Sequence, residues 1–224
     1  MRSAVPELPK PLAPVAGQPY LHYLNAHWLS QGVSEFTYLL HYQSDLIEAF
    51  LQTQQRSGDL NVRVNTIVEP LPMGTGGAIA YAVRTLGIVG DFLVANADTW
   101  LGGGVREVAA AAAPAIATLE VPNVERYGNV EIAGGCVVRF REKQESHGQG
   151  WINAGLYHLS GSMFTEWDGK PFSIERDLFP GLAERGQLTS VPLHEEFIDI
   201  GVPEDYFRFC RWIESGRGKF CEPG

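Results

Sequence analysis

Basic residues, cysteine and long apolar runs are scarce in this sequence, and each scarcity excludes something. Lys and Arg number 17 against 26 Asp and Glu, for a formal net charge of −9 and a pI near 5.1. Sequence-independent binding to nucleic acid or to anionic lipid needs a basic face, so neither is an expected partner. A nucleotide remains open, because a few placed donors suffice for one. No apolar run reaches the roughly 18 residues of a membrane span, and Met1–Lys10 lacks a basic segment followed by an apolar one. Cys136, Cys210 and Cys221 are an odd count without metal-binding spacing. A reduced, cytoplasmic setting is the expectation. Histidines 22, 27, 41, 147, 158 and 194 show no cluster and no i,i+4 spacing, so they offer neither a zinc site nor a catalytic triad.

What is present is the composition of a folded protein: 224 residues, 45% hydrophobic and 19% charged. A chain of this size buries roughly 70% of its unfolded surface. No repeat, linker or composition shift marks a boundary, so one domain over residues 1–224 is expected. Leu21, Leu24 and Trp28 recur at helical spacing after Pro19, with Gly32 as a stop. Phe36–Leu40 reads as a buried strand, and Ser44 as the cap of a second helix. Val62, Val64, Thr66 and Val68 alternate as a strand. Gly77–Leu86 reads as a helix, Phe92–Ala95 as a buried strand and Gly104–Ala112 as a helix. Such alternation implies βαβ units and an α/β, doubly wound, mostly parallel sheet. From residue 115 the strand-like segments Ala115–Val121, Val130–Ile132, Val137–Arg141 and Ile152–Leu159 have few helices between them, which suggests a small antiparallel addition. Ser173 and Pro203 open two later helices, ending at Gly186 and near Gly216. Phe207, Phe209 and Trp212 on the last helix fit either a core or an interface, so a homodimer stays open.

Several short motifs could carry chemistry. Lys10 stands between Pro9 and Pro11, where an extended segment with few backbone states aims an ammonium cheaply at phosphate. A solvated charge on a Pro-rich arm is the plainer reading. Glu69-Pro70-Leu71-Pro72-Met73-Gly74-Thr75-Gly76-Gly77 lies between a strand and a helix. Its glycines permit close backbone approach to a ligand and the helix offers a positive N-terminus, or they serve an ordinary tight turn. Asn96-Ala97-Asp98 places a carboxylate beyond the end of a core strand, where ligands of open α/β sheets gather; a helix cap is the alternative. Phe197-Ile198-Asp199-Ile200-Gly201 repeats that design. Two acids at neighbouring strand ends could share one Mg²⁺, which usually takes one or two carboxylates plus phosphate oxygens. Glu142 and Lys143 fit either a sugar-phosphate site or a solvated pair, and Asn153-Ala154-Gly155 begins another strand.

In their order along the chain, Lys10, Gly74-Thr75-Gly76-Gly77, Asn96-Ala97-Asp98, Tyr127-Gly128, Glu142-Lys143, Asn153-Ala154-Gly155 and Asp199-Ile200-Gly201 resemble the sugar-1-phosphate nucleotidyltransferase family. Val5–Gly17, Phe140–Lys143, Ser173–Asp177 and Phe197–Tyr206 look most like its branch of heptose-1-phosphate guanylyltransferases. The resemblance implies a Rossmann-like fold and attack of a sugar-1-phosphate oxygen on the α-phosphorus of a nucleoside triphosphate, GTP in this branch, releasing pyrophosphate. It implies Lys10, Asp98 and Asp199 as catalytic residues, with the two acids holding Mg²⁺. It implies Glu69, Gly74, Thr75, Gly76, Gly77 and Asn96 around the nucleotide, and Tyr127, Gly128, Glu142, Lys143, Asn153 and Gly155 around the sugar and its phosphate. The product would be a GDP-sugar for bacterial-type surface polysaccharide, capsule or lipopolysaccharide. Mannose 1-phosphate with GTP, other sugars with UTP or dTTP, and a non-catalytic nucleotide-sugar-binding subunit are the alternatives. Guanine offers N1–H and N2–H₂ on one edge, which a carboxylate such as Glu69 accepts. Family members begin with an apolar strand and a G-G-x-G-T-R-L loop, whereas Met1-Arg2-Ser3-Ala4 stands where that loop should be ending. The first strand and the Gly-rich loop are therefore expected to be missing from this sequence, and a chain starting at Met1 to have little transferase activity.

Overall fold

The structure, a computed structural model, describes residues 7–141 and 148–216. The chain forms two compact units. The first takes the chain up to Val68, Ala97–Leu101 and the chain from Glu196; the second takes Glu69–Asn96 and Gly102–Glu195.

The first unit opens with a hairpin of β1 (Pro14–Val15) and β2 (Gln18–Pro19), then α1 (Tyr20–Ser30), β3 (Glu35–Leu40), α2 (Ser44–Ser57) and β4 (Arg63–Val68). Ser44 is not the cap of α2 but its first residue. Gln43, in the left-handed region at φ 52°, precedes it, and Gly58 at φ 87° ends the helix. The second unit contributes α3 (Gly74–Leu86) and β5 (Asp91–Ala95), and the chain returns to the first for β6 (Thr99–Leu101). The second unit then continues with α4 (Val105–Ala110), β7 (Ala115–Val121), β8 (Asn129–Ala133), β9 (Cys136–Arg141) and β10 (Gly150–Ser160). A π-helical turn over Ile174–Leu178 runs into α5 (Phe179–Glu184), and β11 (Thr189–Leu193) follows. The first unit closes with β12 (Phe197–Asp199) and α6 (Pro203–Glu214), which has Pro203 at its first position and Glu204 and Asp205 in its first turn.

The core of the first unit is aromatic. Trp100 is buried, with the His27 ring stacked on it at 4.2 Å and Phe209 and Trp212 at 5.2 and 5.3 Å. Tyr20 meets Phe209 edge-on at 5.0 Å. The last helix therefore uses Phe209 as core, while Phe207 is 49% exposed. His27 Nε2 bonds the Leu101 carbonyl at 2.7 Å, and burial pushes the imidazole below its ordinary pKa. In the same unit β3 and β4 pair in parallel from Glu35↔Arg63 to Leu40↔Val68. Phe36, Tyr38 and Leu39 are only half-buried there, so β3 is less enclosed than its sequence implies.

The second unit is built on a six-stranded sheet ordered β5-β10-β7-β11-β9-β8. The α/β class stands, but the proportions differ from a mostly parallel sheet with a small addition. Among the described residues β3–β4 and β7–β11 are the parallel pairs, and the others are antiparallel. The physical reason lies in β10, which is 11 residues long and runs against both β5 and β7. The hairpin at Gly134–Gly135 adds β8 and β9 without a helical crossover.

Phe209→Ala empties a fully buried aromatic site and should cost about 3–5 kcal/mol in urea or guanidinium unfolding, whereas Phe207→Ala stays within about 0.5 kcal/mol.

Candidate active site

Two acids far apart in sequence meet in the first unit. β12 pairs antiparallel with β6, setting Asp199 opposite Thr99, and the Ile200 amide donates to the Asp98 carbonyl at 3.0 Å. Buried Trp100 and Ile198, opposite each other in this ladder, anchor it. Asp98 does not cap a helix; the element after it is β6. Both carboxylates lie near enough to the Tyr20 hydroxyl to raise its pKa, in addition to the larger effect of burial. That hydroxyl is wholly buried and has no hydrogen-bond partner among the described residues. Asp199 Oδ1 accepts the Gly201 amide at 2.7 Å.

Lys10 joins this group: its Nζ lies 3.0 Å from Asp98 Oδ2, with the two side chains 44% and 34% exposed. The segment is not extended as the prolines imply. Pro9 enters at φ −61°, and the Leu12 and Ala13 amides close a 3₁₀ turn over Lys10–Leu12 on the Pro9 and Lys10 carbonyls. The Tyr23 hydroxyl, donating to the Val15 carbonyl at 3.2 Å, and the Tyr206 hydroxyl, donating to Pro14, fasten the chain just beyond it.

In the second unit Gly74–Gly77 is not a loop before the helix but the first turn of α3. Its N-terminal amides are engaged: Gly76 and Gly77 donate to the Phe172 carbonyl at 3.0 and 3.2 Å, and the Met73 amide donates to Glu69 Oε2 at 2.8 Å. The glycines admit Phe172. A Cβ on Gly74 would stand 2.6 Å from the Phe172 carbonyl oxygen, and one on Gly76 would stand 2.1 Å from its ring.

Asn153-Ala154-Gly155 forms a bulge in β10, where the register against β7 shifts between Asn153 and Tyr157. Gly155 holds φ +75°, and a Cβ there would fall 2.7 Å from Asn96 Nδ2. The Asn96 amide donates to Gly155 at 2.9 Å, the Asn153 amide to Gly128 at 3.2 Å, and the Tyr127 amide to Val124 at 2.9 Å. Asn96, Gly128, Asn153 and Gly155 are thus tied together, with Tyr127 next in the chain. Glu142 and Lys143 lie outside the described residues.

The model of the nucleotidyl transferase family matches residues 6–215. The chain belongs to the nucleotidyl transferase family. It is 31% identical over 212 residues to a D-glycero-alpha-D-manno-heptose 1-phosphate guanylyltransferase of Aneurinibacillus thermoaerophilus, covering 92% of this chain and 90% of that one. It is 29% identical to a mannose-1-phosphate guanylyltransferase catalytic subunit beta of Xenopus tropicalis, covering 99% of this chain and 64% of that one. The crystal structure of HddC from Yersinia pseudotuberculosis complexed with GMP-PN superposes with a TM-score of 0.80 at 32% identity, over 92% of this chain and 90% of that one.

Four residues of this nucleotidyltransferase were not singled out from the sequence. They are Tyr20, Tyr157, Phe172 and Glu175, which no motif names individually. Glu175 sits in the π-helical turn, where its Oε2 accepts the Thr75 hydroxyl at 2.6 Å and the Ser173 hydroxyl at 2.8 Å. Such turns are frequent at functional sites but have no sequence signature of their own.

Gly74→Ala forces a side chain into φ +69° and against backbone. It should cost about 1–3 kcal/mol in equilibrium unfolding.

Proposed function

We propose that this nucleotidyltransferase transfers a guanylyl group from GTP to a sugar 1-phosphate, with D-glycero-α-D-manno-heptose 1-phosphate as the preferred acceptor, giving GDP-heptose and pyrophosphate. The observation that carries the reading is the near-full-length match to guanylyltransferases together with the Lys10, Asp98 and Asp199 group. Heptose is preferred over mannose because the heptose relative matches over 90% of its own length and the mannose relative over 64%. The nucleotide in the Yersinia complex supports guanine. Mannose 1-phosphate is the second reading, favoured by a match spanning 99% of this chain. A cytoplasmic role in making nucleotide-sugar for surface polysaccharide fits this product. No helix of the described residues is long and apolar enough to cross a membrane.

The donor set fits Mg²⁺. Asp98 and Asp199 supply hard carboxylate oxygens, and the described residues hold no group of three or more His, Cys, Asp or Glu suited to a metal ion. A cation there would share its remaining positions with substrate oxygens and water, as Mg²⁺ commonly does. When bound, Mg²⁺ supplies neutralisation of phosphate charge.

The protein's own residues do the rest. The Lys10 ammonium, exposed and paired with Asp98, attracts the triphosphate and offsets charge on the departing pyrophosphate. The Asp98 carboxylate fixes where that ammonium points. Glu69, held by the Met73 amide, accepts from the guanine edge. Asn153, Gly155, Tyr127 and Gly128 orient the sugar phosphate, with Glu142 and Lys143 in the same set, and Asn96 stands with the nucleotide.

Incubation with GTP, Mg²⁺ and heptose 1-phosphate should release pyrophosphate faster than with mannose 1-phosphate; the reverse order selects the mannose reading. Asp98→Asn and Asp199→Asn should each lower kcat/KM at least about 100-fold with the unfolding midpoint held, and an unchanged rate removes the pair from the reaction. Glu69→Gln should narrow the preference for GTP over UTP, measured as the ratio of kcat/KM values. A ratio that does not move assigns base choice elsewhere.

A further inference from the structure

In the first unit, the ion pair of Lys10 does not fix where its ammonium stands. Lys10 and Asp98 are both partly exposed, and a pair of that kind holds its partners weakly. The place of the ammonium is set by the backbone beneath it. Leu12, Ala13 and Val15 are buried and keep this arm against the unit, but apolar burial has no direction and leaves the arm free to slide. Hydrogen bonds must set the register. The Tyr20 amide donates to the Ala13 carbonyl at 2.8 Å, which makes Ala13 and Tyr20 a bonded pair across the hairpin. Bonded pairs alternate with open ones in an antiparallel ladder, so Pro14↔Pro19 is open and the Pro14 carbonyl turns away from the partner strand. Proline has no N–H, and that carbonyl is the one hydrogen-bonding group Pro14 can offer. It accepts the hydroxyl of Tyr206, a buried residue of α6 that lies 192 positions later.

The same helix holds the opposite side of the group. Asp199 ends β12, and residues 200–202 lead from it into α6. Arg208 Nη2 donates back to the Phe197 carbonyl at 2.6 Å, while Arg208 Nε lies 3.3 Å from Oδ1 of buried Asp205. Phe209 packs on Tyr20 at 5.0 Å and on Trp100 of β6 at 5.2 Å. One helix therefore grips the strand that carries Asp199, the strand that follows Asp98 and the arm that carries Lys10. We propose that Tyr206 is a positioning residue for Lys10: by pinning the Pro14 carbonyl to α6, its hydroxyl fixes where the ammonium stands beside Asp98 and Asp199. What Lys10 does there rests on the proposed function; the pin itself rests on the hydrogen bonds. Without the hydroxyl the arm stays buried but loses its register, and the ammonium spends less time where charge develops on the departing pyrophosphate.

Amide hydrogen exchange on the full chain, without ligand, tests the pin apart from catalysis. Tyr206→Phe should speed exchange of the Leu12 and Ala13 amides, which close the turn at Lys10, at least about fivefold. The Ile200 amide, bonded to the Asp98 carbonyl, should stay within about twofold. Equal acceleration at all three, or none at Leu12 and Ala13, overturns the proposal. Should Tyr206→Phe fail to fold, the wild-type hydroxyl decides it. Slow exchange of the Tyr206 phenol proton, read from the deuterium isotope shift on its ring carbon, supports the pin; exchange as fast as in the amino acid overturns it. In pyrophosphate release from GTP with heptose 1-phosphate or mannose 1-phosphate, Tyr206→Phe should lower kcat about fivefold, with the KM for the sugar phosphate within about twofold. That loss should vanish from the residual rate of a Lys10→Met background, because no ammonium is left to misplace. An unchanged kcat, or a loss of the same size in both backgrounds, overturns the positioning role. A wild-type protein that releases no pyrophosphate with either sugar overturns the proposed function, while the exchange rates still decide the pin.

Discussion

A three-residue antiparallel ladder, Phe197–Asp199 against Thr99–Leu101, is the contact on which the candidate chemistry depends. It joins residues about a hundred positions apart, and loop-closure entropy alone would keep them separate. What holds them is burial: Trp100, Ile198, Leu101 and Ile200 are nearly inaccessible, and α6 lays Phe209 and Trp212 over Trp100. Like charges at adjacent strand ends repel, and the repulsion grows as water is excluded. Lys10 offsets part of it. In a chain of net charge −9, local cations of this kind are what let anionic reactants approach at all.

At the N-terminus of α3 the glycine-rich motif opens a helix, but its amides are not left for an anion. A glycine-rich turn opening a helix resembles an anion cradle because its amides are normally unsatisfied. Here the Phe172 carbonyl takes two of them and Glu69 takes the Met73 amide. The positive end of the helix is therefore already answered by protein groups. The glycines serve packing, since their missing side chains leave room for Phe172 against the turn, and Thr75 and Glu175 are bonded to each other beside it.

Much of this was readable in the residues. Helix α1, strands β3, β4, β5 and β7, and helix α6 follow from periodicity and from Pro and Gly at their ends. The order of the short motifs was sufficient to reach the family. The antiparallel run of β10 was readable from the few helices after residue 115, but not that β5 pairs with it, because the helices on either side of β5 suit a parallel sheet and only the pairing decides. The 3₁₀ turn at Lys10 was missed because two flanking prolines suit an extended segment as well as a turn start, and only the closing amides of Leu12 and Ala13 choose between them. Glu175 falls in the Ser173–Asp177 stretch that carries the resemblance, but its bond to Thr75, a hundred residues away, is recorded by no local pattern.

The histidines complete the argument by what they are occupied with. His27 is tied to the Leu101 carbonyl, His158 to the Ala111 carbonyl at 2.8 Å, and His22 to Gln54 at 2.8 Å, while His41 and His194 are exposed. Attack by a phosphate oxygen on the α-phosphorus of a nucleotide needs no such ring as a base. A phosphate monoester with its second pKa near 6 is largely dianionic at neutral pH, so its oxygen attacks without surrendering a proton to the protein. The demand falls instead on alignment and on charge, and in the first unit Lys10 lies against Asp98 beside the ladder that carries Asp199, the group proposed above to meet it.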